Sequence, residues 1–395
     1  MKRALAGLKI LDFTRVYSGP YCTMLLADLG AEVIKVEAVG KGDDTRLFYP
    51  IKNGQSGYFT YLNRNKKSIT LNLKTPEGKE TALALARWAD VLVENFSAGT
   101  IKKLGLSYET VKEVNPNIIY ASISGFGQSG PYCKKAAYDA VAQAMGGLTY
   151  LTGYPENEPV KVGPAISDAA TGVHTAVAIL AALHHRTATG EGQYIDVAMM
   201  DTVFSMLENS VPILTMMGEE PQRIGNSNPA SAPYDMYHTK DGAVVIATAN
   251  DSLFTRLINL MGQPELMEDP RFNSNPNRKA HEREVNALVE EWTRQHTSAE
   301  VESLLDASGI PVACAKSVSQ LVEDPQLHHR NMVIEQEVPG VGTVKFPGNP
   351  LKLQATPPDT SRRAPLLGEH THEILKDVLG RTEDEIQQLK AMQVI

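Results

Sequence analysis

The chain has 395 residues, 42% hydrophobic and 21% charged, the proportions of an ordinary folded protein and length enough for about two domains of roughly 100–200 residues each. Its net charge of −8 argues against nucleic acid as a partner, and an anionic ligand would need a local cluster of bases. Three scattered cysteines, Cys22, Cys133 and Cys314, suit neither a disulfide framework nor a zinc site, so no metal is expected.

The first nine residues carry the charge of a signal segment, but Lys9 and Asp12 interrupt the apolar run that should follow, and a cytoplasmic location is the expectation. Residues 8–13 read as a strand. Gly19-Pro20 opens a helix with Met24, Leu25, Leu26 and Leu29, Gly30 ends it, and residues 32–37 are the next strand, which completes a βαβ unit. A strand at 68–73 precedes a helix with Pro76 early in its first turn. Residues 90–96, 118–124 and 192–199 continue the alternation. The pattern predicts an α/β fold with an open, mostly parallel sheet covered by helices on both faces.

Residues 172–184 are apolar nearly all round and predict a buried helix. The longest unbroken apolar run, 176–183, is too short to span a bilayer, so no membrane partner is expected. Near Arg223 the texture changes. Asn226, Asn228, Pro229 and Pro233 mark a loop, and strands at 234–238 and 243–247 flank Thr239-Lys240-Asp241-Gly242, a hairpin signal. The expected division is a large domain over 1–224, a smaller α+β domain over 225–325 and a return to the large domain over 326–395, with two short helices near the end.

Three groups of residues bear on chemistry. Gly125-Phe126-Gly127-Gln128-Ser129-Gly130 matches G-x-G-x-x-G after a strand, but Pro131 and Cys133-Lys134-Lys135 follow in place of an apolar helix, and Glu156 and Glu158 lie among prolines. A nicotinamide site is disfavoured, and the glycines read as a flexible loop. Arg15, Lys35, Lys66, Lys67, Lys102 and Lys103 fall near strand ends, where open parallel sheets gather ligands; each alone is ordinary surface charge. Asp168 stands among Gly163, Pro164, Ala165, Ser167, Ala169, Ala170 and Gly172, just before the apolar helix. An aspartate there is a helix N-cap, the commoner role, or a nucleophile kept ionised by the helix start. Local sequence leaves both open.

Longer stretches carry a resemblance. Residues 5–13, Ser18-Gly19-Pro20, residues 29–37 and Asn65-Lys66-Lys67-Ser68 are similar to the class III CoA-transferases, the CaiB/BaiF family. So are Val93-Glu94-Asn95-Phe96, Gly125-Phe126-Gly127, Tyr138-Asp139 with Gln143-Ala144-Met145-Gly146-Gly147, Thr189-Gly190-Glu191-Gly192-Gln193 and residues 364–371. The match runs in order over nearly the whole chain.

The resemblance implies a Rossmann-like large domain, a smaller domain and an interlocked homodimer. It implies CoA transfer from an acyl-CoA to a small carboxylic acid, with CoA thioesters as substrates and no separate cofactor. Asp168 occupies the family's catalytic position, implying attack on the donor thioester, an aspartyl–acyl anhydride and then an aspartyl–CoA thioester. Arg15, Tyr17 and Ser18 match the loop near the pantetheine and thioester. Asn95 and Phe96 match the loop bordering the nucleotide, Lys103 a basic phosphate position, and Tyr138, Asp139 and Met199 the CoA channel. Ala38 departs from an arginine found in formyl-CoA transferases. The family's α-methylacyl-CoA racemases carry a histidine where Tyr138 stands, and a phenol of pKa about 10 is a poor proton shuttle, so racemisation is the lesser alternative. Residues 225–229 lack the glycine run of oxalate-specific members.

Overall fold

Runs of aliphatic and β-branched residues make the strands of the central sheet. The computed structural model describes residues 3–395. In chain order the sheet elements are β1 (Lys9–Asp12), α1 (Ser18–Asp28), β2 (Glu32–Glu37), β3 (Lys66–Thr70), α2 (Pro76–Trp88), β4 (Val91–Glu94), β5 (Ile119–Ser124), α3 (Asp139–Met145), α4 (Ile166–Thr189), β6 (Tyr194–Ala198) and α5 (Met199–Ser205). The strands lie in the order β3-β2-β1-β4-β5-β6, and every pairing is parallel. This is the doubly wound order whose direction reverses between β1 and β4, opening a crevice at their carboxyl ends.

Both sheet faces are covered. One core layer joins Leu11, Ile34, Ile69 and Leu92 to Leu85 of α2 and to Ile374 and Leu375 near the C-terminus. The other joins Ile10, Val33, Val93 and Ile123 to Leu26 of α1 and Ile179 of α4. Thr75 caps α2 through its side chain, with Pro76 in the first turn.

The strand expected at 68–73 begins earlier, at Lys66. Two lysines look like loop, but the Lys66 ammonium is fully buried, 3.1 Å from the Asp12 carboxylate, and also donates to Asn63 Oδ1 and the Pro20 carbonyl. Lys35 is buried against Asp43 at 2.9 Å, and Lys67 pairs with Glu32 and Glu373. These three lysines are therefore engaged within the fold.

Helix α4 was expected to be buried all round. One face is: Thr171, Gly172, Thr175, Ala176, Ile179 and Ala182 pack inward, while Val173, Val177 and Leu180 are exposed, Val177 by 60%. Its length and composition would also suit a bilayer span; here its inner face is part of the sheet's core. Gly172 allows α1 to come close, because a Cβ there would stand 2.7 Å from the Ser18 carbonyl oxygen.

The described residues divide into two compact units, one of residues 3–148, 161–211 and 324–395, the other of 149–160 and 212–323. The smaller unit holds the antiparallel sheet of β7 (Tyr234–His238), β8 (Ala243–Ala247) and β9 (Val312–Cys314), the first two bounded as the hairpin signal predicts. Its core gathers Tyr237, Val244, Ile246, Leu257, Val289 and Val301. Segments 149–160 and 212–224, grouped with the large domain from sequence, fall in this unit. The Arg223 guanidinium donates to the carbonyls of Tyr150, Tyr154 and Asn157, and Gly225 N–H to that of Gly153.

Candidate active site

The loops after β1 and β4 meet at the crevice. Arg15 N–H donates to Asn95 Oδ1 at 2.8 Å, and Asn95 Nδ2 returns a hydrogen bond to the Arg15 carbonyl at 2.7 Å. The Arg15 guanidinium lies 5.6 Å from the Phe96 ring centre. Between Arg15 and Tyr17, Val16 has φ of +68°, a left-handed conformation that is unfavourable for a β-branched residue. Its N–H is held by Asp43 Oδ1 at 3.2 Å.

A cavity of about 170 Å³ opens here, and its walls include Arg15, Ser18, Asn95, Phe96, Tyr138, Asp168 and Met199. Seven of the ten expected site residues thus line one space. Tyr17 stands beside it, its ring packed against those of Tyr21, Tyr58 and Tyr61. Asp139 lies behind Asp168. Lys103 is exposed at the end of the short helix Thr100–Lys103 and is not part of this lining. Cys133, Lys135 and Ser124 also face the cavity; nothing in their sequence neighbourhood marks them.

A second cavity of about 530 Å³ adjoins the same strand ends, with Arg15 and Phe96 common to both. Ala38, Lys41, Asn72 and Lys74 are on its walls. Lys41 and Lys74 were not expected. The available signal was their place in the loops that follow β2 and β3, on the carboxyl side of the sheet.

Asp168 is not the cap of its own helix. Ala165 occupies that position, and Asp168 is the third residue of α4. It is 8% exposed. Its surroundings oppose the pull of the helix start toward the ionised form. Burial, and then the neighbouring negative charge of Asp139, push its carboxyl from 3.8 up to about 7, against the opposing pull of the Ser18 hydroxyl and backbone N–H. The groups acting on it include no cation among the described residues. A carboxyl balanced between its two forms near neutral pH, in a small cavity, has the marks of a working group rather than a structural one. Burial pushes the phenols of Tyr17 and Tyr58 up to about 12, so both remain protonated donors at neutral pH.

The order of the motifs along the chain points the same way as the sequence comparison. Residues 5–371 match the model of CoA-transferase family III. The chain belongs to this family. It is 38% identical over 395 residues to the succinyl-CoA–D-citramalate CoA-transferase of Chloroflexus aurantiacus, spanning 100% of this chain and 98% of that one. It is 42% identical over 386 residues to the succinyl-CoA:mesaconate CoA-transferase of Haloarcula marismortui, spanning 95% and 96%. The fold is similar to that of a CaiB/BaiF family protein from Brucella suis, with a TM-score of 0.86, 38% identity and coverage of 96% of this chain and 100% of the other. The α/β architecture and CoA-transferase membership expected from sequence are borne out.

Proposed function

We propose that Asp168 is the covalent nucleophile of a transfer of CoA from an acyl-CoA donor, succinyl-CoA first among the candidates, to a small dicarboxylic acid. The observation that carries the reading is a buried carboxyl, balanced near neutral pH, facing a cavity at the reversal point of the sheet. The names of the relatives support the substrate classes. Arg15 and Lys135, cations on the cavity wall, suit an anionic substrate.

In the first half-reaction an Asp168 carboxylate oxygen adds to the thioester carbonyl, the C–S bond breaks, and CoA leaves as thiolate from an aspartyl–acyl anhydride. The thiolate then adds to the Asp168 carbonyl, and the donor acid leaves as carboxylate from an aspartyl–CoA thioester. The acceptor carboxylate repeats these steps in reverse, with no net proton or redox change. Splitting one difficult exchange in this way is the benefit of covalent catalysis. The phenols of Tyr17 and Tyr58 are candidate donors to the tetrahedral oxyanions.

The larger cavity suits the nucleotide end of CoA. Lys41 and Lys74 supply positive charge near Ala38, where relatives with an arginine would carry theirs. Arg15, Ser18, Asn95, Phe96, Tyr138 and Met199 border the path to Asp168, and Lys103 stands farther out as a phosphate contact. We also propose a homodimer, for which the exposed Val173, Val177 and Leu180 stripe offers apolar surface, and a cytoplasmic location.

The test is transfer of CoA from succinyl-CoA to a panel of mono- and dicarboxylates without added cofactor. Formation of a new acyl-CoA with release of succinate is expected. Deuterium uptake next to the thioester carbonyl of a 2-methylacyl-CoA in D₂O, with no transfer to any acid, would favour the racemase instead; the near-neutral Asp168 is the feature that keeps that reading in play.

A further inference from the structure

Helix α4 has no side-chain cap of its own, since Ala165 offers no acceptor, and its first N–H groups need one. Asp139, 29 residues before Asp168, supplies it from α3. Its Oδ1 accepts from Ser167 N–H at 2.9 Å, from the Ser167 hydroxyl at 2.6 Å and, more weakly, from Asp168 N–H at 3.3 Å. Its Oδ2 accepts from Gln143 Nε2 at 2.7 Å. Gln143 is buried, and its Oε1 accepts from Val162 N–H at 2.9 Å, on the segment leading into α4. One carboxylate therefore ties α3 to the turn from which Asp168 projects.

We propose that Asp139 is a positioning residue for Asp168, fixing the turn from which it projects and placing a second carboxylate beside it. Two carboxylates packed together resist being charged at once. The groups around Asp168 leave Asp139 as the charge acting on it. Ser18 of α1 opposes the effect through neutral hydrogen bonds. Tyr17, before α1, and Tyr58, on the helix Gly57–Asn63, are neutral phenols at working pH. Arg15, Cys133, Lys135 and Tyr138 share the cavity wall, and Arg15 leans toward Asp44 at 3.4 Å. Asp168 releases its proton to solvent before its carboxylate adds to the thioester. The catalytic consequence rests on the nucleophile reading above; the titration itself does not.

Carboxyl-carbon NMR of protein labelled with [γ-¹³C]aspartate tests this without turnover, with the Asp168 signal identified by its loss in Asp168→Asn. The wild-type signal is expected to titrate near pH 7. In Asp139→Asn, which keeps an acceptor for the turn but loses the charge, the midpoint is expected to move toward acid by roughly one unit or more. An unmoved midpoint in that variant would overturn the inference, as would a wild-type Asp168 titrating in the ordinary carboxylate range. If Asp139→Asn does not fold, the same acid shift is expected in Asp139→Ser, whose hydroxyl is an uncharged acceptor for the turn, and an unmoved midpoint there would equally overturn the inference. A failure of CoA transfer would leave this titration readable, so the two ideas fail separately. In kinetics the acid limb of kcat/KM is expected to shift in Asp139→Asn in the same direction, with Asp139→Ala slower still and the Asn variant partly rescuing it. A purely structural role would lower the rate without moving the limb.

Discussion

Asp12 and Asp168 are both buried carboxyls near the carboxyl ends of the same sheet, and they sit in opposite surroundings. Burial alone would raise Asp12, but the charges of Lys66 and Lys35 and the hydroxyls of Thr14 and Thr23 bring it down to about 2. Asp168 has no such cations, has Asp139 for a neighbour, and rises to about 7. The paired carboxylate is a structural rivet, since a buried ion with its partner removed is strongly destabilising. The unpaired one is held at a cost to stability, as functional groups often are. Arg64 and Asp28, 2.7 Å apart and buried, belong with the first kind.

Substitutions break this contrast from either side. The largest effect is expected at Asp168→Ala, which should lower kcat by roughly a thousandfold or more while its circular dichroism stays native, because the turn is capped by Asp139. Next is Asp12→Ala, which strands Lys66 in the core; chemical unfolding should register a loss of about 3–5 kcal/mol.

The third effect runs the other way. Asp168 binds its proton more tightly folded than unfolded, so its contribution to stability is full below about pH 4 and is lost as pH rises to about 7. Asp168→Asn has nothing to ionise and should gain on the wild type across that window. Above it the gain should level at a value on the order of a few kcal/mol, read as Tm against pH; a flat difference from pH 4 to 8 would contradict the assignment. The smallest effect is expected at Arg15→Ala, a rise in KM for the acyl-CoA of about tenfold, or about 1.4 kcal/mol, with kcat less affected.

Much of the sheet is legible in the sequence because each strand is a short apolar run bounded by glycine, proline or helical segments, as at Glu32–Glu37. Lys66 and Lys67 defeat that reading, since their charges are satisfied by residues distant in sequence. The membership of 149–160 in the smaller unit is hidden for the same reason, as it depends on carbonyl contacts to Arg223 some 70 residues away. At the site, Asp168 stands out by its small neighbours, and the family motifs select the residues around it. That its helix is capped from Asp139 depends on a contact with no local pattern, and that its carboxyl is raised depends first on burial and then on the same neighbour. Lys41 and Lys74 escape notice because a lone lysine in a loop has no signature until the strand order puts both on one cavity.

The most direct test of the nucleophile is hydroxylamine trapping. Enzyme incubated with succinyl-CoA and hydroxylamine, then digested and mapped by mass spectrometry, should carry a hydroxamate on Asp168, with activity lost in proportion to the label. Activity lost while the Asp168 peptide remains unmodified, or turnover sustained by Asp168→Asn, would contradict a covalent role for this carboxylate.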